Sequence, residues 1–365
     1  MEQTSGKIGI REYIAIVLLT IGTKLADDLP AILYSSLYNA AWMTPIISGV
    51  ISILPLYLLL KTMMYYKEKS LLEIIVHLFG NYIGFVIIFI LWIVGTAAIV
   101  IDSAIYTDII GTMYFTRTPT IVIYAILIGV CVYAAKHGLE QIGSVAKAVL
   151  PYIKASLFFA LILTMIEGNF AFLFPVLGPG GWEVIKESSI RLSIYGDILY
   201  LSLLTPYIRK TKDFTKGTWI AFVILIVELT IAILAYVLLF DYNTAHLLNY
   251  PYHEVIRYIS IGFLANMETL FFPFWLIATF IRFAVYLYIN GLLFGRLFRI
   301  KDFEHMIPSL ATLFLFLGLI LENESIALSE LRDHLLFVVT PIFFGLPCML
   351  WILAKFKGDY KNEKT

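Results

Sequence analysis

Ten apolar stretches, each about long enough to cross a bilayer and joined by short charged turns, run the length of this chain. A helix needs roughly 20 apolar residues to cross the hydrocarbon core, and only a helix or a closed barrel satisfies its own backbone there. The runs are continuously apolar and do not alternate, which excludes a barrel. The fold class is therefore all-α integral membrane, with about ten transmembrane helices. Composition agrees: 60% of residues are hydrophobic, 14% are charged and the mean hydropathy is +0.88, whereas soluble domains carry nearer a quarter charged residues.

The expected spans are 12–33, 41–60, 81–110, 119–135, 148–167, 187–208, 217–240, 263–289, 306–321 and 335–354. The first follows a short polar tail with Glu2, Lys7 and Arg11 and has no small-residue cleavage site, so it reads as a retained span. With the N-terminus inside, eighteen Lys and Arg fall on cytoplasmic segments and five (Arg117, Lys186, Arg191, Arg257 and Arg332) on outer ones. Lys24, Lys154 and Arg282 lie within spans. Cytoplasmic loops carry the excess of Lys and Arg, so the bias puts both termini in the cytoplasm.

A net charge of zero gives no reason to expect nucleic acid, and the basic loops follow from topology. Cys131 and Cys348 both sit within spans, so no disulfide or zinc site is expected. His253-Glu254 lacks the second histidine of a zinc-protease helix. No nucleophile–base constellation or glycine-rich phosphate loop occurs, and no metal, cofactor or enzyme activity is expected. Segments 68–79 and 250–262 are amphipathic and too short to cross; they read as surface helices, inner and outer respectively. Phe174 to Trp182 is dense in Pro and Gly and reads as a turn-rich link.

That link divides a single domain, 1–365, into two sets of five spans, about 12–167 and 187–354. Five is odd, so the second set sits upside down relative to the first. Inverted repeats of this kind are a transporter architecture, with the site at mid-membrane where the first helix of each repeat breaks. Candidate breaks stand at matched depth: Gly22, Thr23 and Lys24 in the first span, and Tyr195, Gly196 and Asp197 in the sixth. The alternative is that either glycine only permits close helix packing. Ionisable residues within spans also include Asp27, Asp28, Asp102, Asp108, Glu228 and Glu268. Charge at the bilayer centre costs about 2.5–3.5 kcal/mol on insertion scales, so each faces protein or water. Asp27, Asp28, Asp108 and Glu268, near outer ends, are expected to be solvated or interfacial. Lys154, in the inner third of the fifth span, and Thr279 and Arg282, in the inner third of the eighth, are deep enough to meet the inner side of a broken first helix.

Ala134 to Gly143 (with His137-Gly138-Leu139-Glu140), Leu150-Pro151, Phe174 to Gly178, and Asn266 to Leu270 before a span with Trp275 and Tyr288 carry a resemblance. Over essentially its whole length the chain resembles the spore-germination permeases, the B subunits of Bacillus-type nutrient germinant receptors, within the amino acid–polyamine–organocation superfamily. The resemblance implies a multi-pass protein of the bacterial cell membrane and spore inner membrane. It would detect an amino acid or similar nutrient and work with an A subunit and a lipoprotein C subunit. Where members often carry a Gly-Ala-Gly-like run, this chain has Gly22-Thr23-Lys24. A ligand carboxylate is expected at the first break, with Tyr195, Gly196 and Asp197 at its other end and Asp102 accepting from its ammonium group. Lys154 would substitute for the sodium ion that some relatives of this architecture hold. Lys154, Glu228, Thr279 and Arg282 are thus coupling or structural charges and polar groups. The alternative reading is a proton- or sodium-coupled secondary amino-acid transporter; a membrane-embedded enzyme lacks any catalytic constellation.

Overall fold

The computed structural model describes residues 7–67, 69–260, 267–321 and 325–357. The polar tail with Glu2, the C-terminal Lys361 and Lys364, and residues 261–266 between the second surface helix and the eighth span lie outside the described residues. Helices run in the order α1 (Ile10–Gly22), α2 (Leu29–Leu37), α3 (Thr44–Tyr65), α4 (Leu71–Ile109), α5 (Thr120–Lys136), α6 (Leu139–Glu167), α7 (Gly181–Ile190), α8 (Asp197–Leu201), α9 (Thr211–Ala245), α10 (Pro251–Tyr258), α11 (Glu268–Phe298), α12 (Ile307–Leu321) and α13 (Ser325–Phe356). No strand occurs among the described residues, only an isolated bridge between Ile8 and Ile208. Eight spans are α3, α4, α5, α6, α9, α11, α12 and α13; the first is α1 with α2, and the sixth is α7 with α8, both interrupted.

Both surface helices form, each for a local reason. Ser70 and Glu73 make a reciprocal cap, with Glu73 Oε2 2.8 Å from the Ser70 N–H and Ser70 Oγ 3.2 Å from the Glu73 N–H. Leu71, Leu72, Ile74, Ile75 and Leu78 turn inward while Glu73 and His77 face out. Gly80, at φ 82° and ψ 173°, then swings this segment off the third span. In α10, Pro251 opens the first turn, with Glu254 in that turn and Arg257 in the last, as the helix dipole favours.

Past Arg11 and Glu12, α1 is apolar on nearly every side, and all its residues from Tyr13 to Gly22 except Ile14 are buried. It packs against α6, α9 and α11 at the centre of the bundle. The outward faces of other helices remain apolar, with Val86, Phe158, Ile166 and Phe337 exposed, as contact with lipid requires. The chain before α1 lies along the end of the sixth span. Ile8 N–H donates to the Tyr207 carbonyl at 2.9 Å, and Arg209 N–H donates to the Ile8 carbonyl at 3.0 Å. The first span thus starts where the sixth finishes, as inverted repeats demand.

Four spans are longer than expected, among them α9, which runs from Thr211 to Ala245 against 217–240. α6 starts nine residues before 148, α11 continues nine residues past 289, and α13 starts ten residues before 335. The extensions carry polar and charged residues, most of them exposed, such as Glu140, Gln141 and Arg296, with Asn290 and Arg332 buried, so hydropathy alone cuts the spans short. The longer α11 puts Thr279 and Arg282 near its middle, not in its inner third, and α13 takes in Arg332, expected in an outer loop.

Ile8→Cys combined with Ile208→Cys is expected to crosslink on mild oxidation in membranes, since the backbone pairing meets disulfide reach. Ile8→Cys with Cys at the exposed Phe158 serves as the negative control. Failure of the first pair to crosslink would place the two span ends apart.

Candidate functional site

Gly22 and Gly196 are both helical, at φ −63°, ψ −26° and φ −58°, ψ −27°. The unwinding lies beside them. After Gly22 the backbone tightens into a single turn at Thr23–Ala26, and Asp27 is extended at φ −96°, ψ −155°. In the sixth span Arg191 leaves the helix at φ −106°, ψ 33°, and a tight turn at Leu192–Tyr195 precedes α8. The glycines serve close approach. A Cβ on Gly22 would lie 3.1 Å from both Lys154 Nζ and Glu228 Oε1, and one on Gly196 would lie 2.6 Å from Val339 Cγ1.

Tyrosines from neighbouring helices satisfy the carbonyls freed at the first break. Tyr106 on α4 donates to the Thr23 carbonyl and Tyr236 on α9 to the Leu25 carbonyl, both at 3.1 Å. Asp27 Oδ1 accepts the Leu29 N–H at 2.9 Å, so the start of α2 is capped by its own chain. At the sixth break the Ser193 N–H donates to Thr340 Oγ1 at 3.2 Å.

Lys24 joins the two breaks. Its ammonium pairs with Asp197 and donates to the carbonyls of Ser193 at 3.3 Å and Ile194 at 3.1 Å. Tyr286 on α11 donates to the other oxygen of Asp197 at 2.8 Å. The positions that could receive a ligand's cationic end are therefore held by the chain's own cation. Tyr195 does not join them: its hydroxyl turns away to the Pro45 carbonyl, 2.8 Å off, and its ring packs on Phe222.

Beside this pair stands an ionic cluster that reading span by span misses. Arg332 donates to Asp27 Oδ2 and Asp102 Oδ1, each at 2.6 Å, and its Nε lies 3.3 Å from Asp28. Arg282 donates to Asp102 Oδ2 at 2.5 Å and to Thr23 Oγ1 at 2.9 Å, with Tyr106 and Tyr286 rings 5.3 Å from its guanidinium. Asp27 and Asp28 are fully buried, not solvated, because Arg332 comes inward with α13 to meet them. Both oxygens of Asp102 are taken by guanidinium groups, so a ligand ammonium reaching it must displace an arginine. Asp108 and Glu268 lie farther out and are partly exposed; Asp108 accepts from Tyr250 at 2.5 Å and Glu268 from Arg257 at 3.1 Å.

On the opposite side of the first break, Lys154 on α6 pairs with Glu228 on α9 at 2.5 Å, against Gly22. The pair lines a cavity of about 40 Å³ with Leu18, Thr23, Ala278 and Trp275. That space fits two or three waters at about 15 Å³ each, not an amino acid. Thr279 is buried and bonds back to the Trp275 carbonyl at 3.0 Å, a within-helix contact. His253 on α10 accepts from or donates to the Tyr114 hydroxyl at 2.7 Å and packs edge-on against Trp275. Burial pushes its pKa down from the ordinary value to about 3, so the ring is neutral at physiological pH.

Two broken helices meeting at one depth, bridged by charge, are the arrangement of a permease core. A family profile described as "Spore germination protein" matches residues 12–326. The chain belongs to the spore germination permease family. It is 25% identical to Spore germination protein KB of Bacillus subtilis (strain 168), over 98% of this chain and 97% of that one. It is 21% identical to Spore germination protein XB of Bacillus anthracis, over 68% and 70%. Among solved structures it resembles a Na+-coupled sialic acid symporter in its substrate-bound outward-open state, with TM-score 0.64, 12% identity, and 95% of this chain and 79% of that one covered. This permease therefore shares the transporter fold of inverted repeats.

Arg332→Met should strip the buried carboxylates of Asp27 and Asp102 of their shared partner and cost about 3–5 kcal/mol, read as loss of membrane accumulation or a large drop in melting temperature. Arg257→Met, which breaks a half-exposed pair, should cost no more than about 1 kcal/mol. Equal effects of the two substitutions would remove the cluster from the structural core.

Proposed function

We propose that this permease is the B subunit of a spore germinant receptor, binding a small zwitterionic nutrient, an amino acid first, between its two helix breaks to trigger germination. The observation that carries the reading is Lys24's ammonium on the Ser193 and Ile194 carbonyls beside Asp197. That constellation binds an ammonium group, and a nutrient's ammonium would take it over as Lys24 leaves. The displaced Lys24 and the Arg282 guanidinium, 2.9 Å from Thr23 Oγ1, then offer positive charge to a carboxylate. Family membership and the names of the relatives support the spore setting. A spore inner-membrane location, with A-type and lipoprotein C-type subunits as partners, belongs to this reading. So does the cytoplasmic placement of both termini, which the distribution of Lys and Arg supports.

In this reading Asp197 and Lys24 each offer charge to one end of the bound zwitterion. Spores with Lys24→Met plus Asp197→Asn should therefore need about ten times the parental nutrient concentration, a change of about 1.4 kcal/mol. Subunit abundance is measured alongside. An unchanged dose–response removes Lys24 and Asp197 from the site. A deletion strain that germinates like the parent on every single nutrient would sink the receptor reading itself.

A second reading, cation-coupled transport, has one specific observation behind it. Lys154's ammonium lies against the first break, beside Gly22, where a coupling cation would bear on that helix. Transport or germination is then expected to need no sodium, and Lys154→Ala to be inactive though normally inserted. Sodium dependence, or full activity of Lys154→Ala, counts against it.

A further inference from the structure

The charges around the two breaks do not balance. Asp27, Asp28, Asp102 and Asp197 face Lys24, Arg282 and Arg332, leaving one negative charge in excess within the bundle. An uncompensated charge in such a place costs several kcal/mol, far more than a neutral polar group. The excess can be located. Asp27 has both oxygens bonded, by the Leu29 N–H at 2.9 Å and Arg332 at 2.6 Å. Asp102 has both bonded by guanidinium N–H groups at 2.6 and 2.5 Å. Asp197 has Tyr286 and Lys24. Asp28 is 1% exposed, and neither of its oxygens receives a hydrogen bond. Among the described residues its only charged contact is the Arg332 Nε at 3.3 Å, out of line for donation.

We propose that Asp28 is a proton-binding site: its carboxyl group holds one proton while the first break is closed, and releases it when the break opens to water. The O–H bond breaks heterolytically, the electron pair stays on the carboxylate and the proton passes to water. A metal cation fits this place badly. Hard cations take about six oxygen ligands, and here a guanidinium already stands against the carboxyl. The charged groups around Asp28 are Asp27 in its own segment, Asp102 on α4, Arg282 on α11 and Arg332 on α13. Tyr250, ahead of α10, lies near enough to feel it, and it hydrogen-bonds Asp108. Just past α7, Arg191 reaches α2 at Ser36 and is neutralised by Asp333 and Glu187. No cation besides Arg332 thus serves Asp28 among the described residues. The closed first break then carries a removable proton, so opening it is linked to pH whatever nutrient the protein recognises.

The test is infrared spectroscopy of the purified full chain in lipid nanodiscs, parent against Asp28→Asn. The parent should show the carbonyl stretch of a protonated carboxylic acid, shifted in deuterium oxide. Asp28→Asn should lose the intensity of one such group, because an amide carbonyl absorbs elsewhere. Asp28→Asn should also accumulate and melt like the parent, an amide being close in shape to the neutral acid. Asp27→Asn, which takes a charged partner from Arg332, should melt clearly lower. A carboxylic-acid band that persists undiminished in Asp28→Asn overturns the proposal. So does an Asp28→Asn that melts as low as Asp27→Asn or fails to accumulate, since a negative charge would then be needed there.

Discussion

The Arg332 guanidinium is the contact on which the core depends. It reaches Asp27 in the first break, Asp102 on α4 and the neighbourhood of Asp28, so one side chain from the tenth span fixes the first and third. In water such contacts are worth little. Inside a bundle surrounded by hydrocarbon, each carboxylate without its partner would be a charge with no solvent, and the penalty for separation far exceeds the gain of any one bond. Arg282 extends the same logic to α11, sharing Asp102 and leaning on two tyrosine rings. Broken backbone at mid-membrane is tolerated because donors and charges from α4, α9, α11 and α13 converge on it.

The chemistry of the breaks follows. An interrupted helix presents carbonyls at one end and N–H groups at the other, ready for ligands of opposite charge. Here Lys24 answers the first and Asp27 the second. The molecule is thus liganded by itself, and a small cavity lies to the side, against Lys154 and Glu228.

Much of this is legible in the sequence. Continuous apolar runs give the class, and an odd number of spans per half gives the inversion. Both breaks fall within a few residues of their glycines. The glycines themselves follow the packing alternative, since each is helical and lets a neighbour come close, while the unwinding lies beside them. Lys154 and Glu228 are deep enough to be singled out, but their pairing is between helices and has no local signature. Tyr195 sits at the break yet points to Pro45. Asp27, Asp28 and Arg332 misled for a common cause. Hydropathy reads a charge near a span end as solvated, and only the packing of α13 against α3 and α4 shows it to be enclosed.

The ties at the two ends of the first and sixth spans differ in kind. Where the chain enters α1, Ile8 and the stretch from Tyr207 to Arg209 are joined by backbone hydrogen bonds between buried aliphatic side chains. At the far end, Arg191 holds Asp333 and Ser36 through side chains alone. Water competes well for the second kind of contact and poorly for the first. In mechanical terms, the molecule has a hinge pin at one end and a clasp at the other. Wetting would part the spans from the clasp side, and the pin would keep their ends in register while they swing.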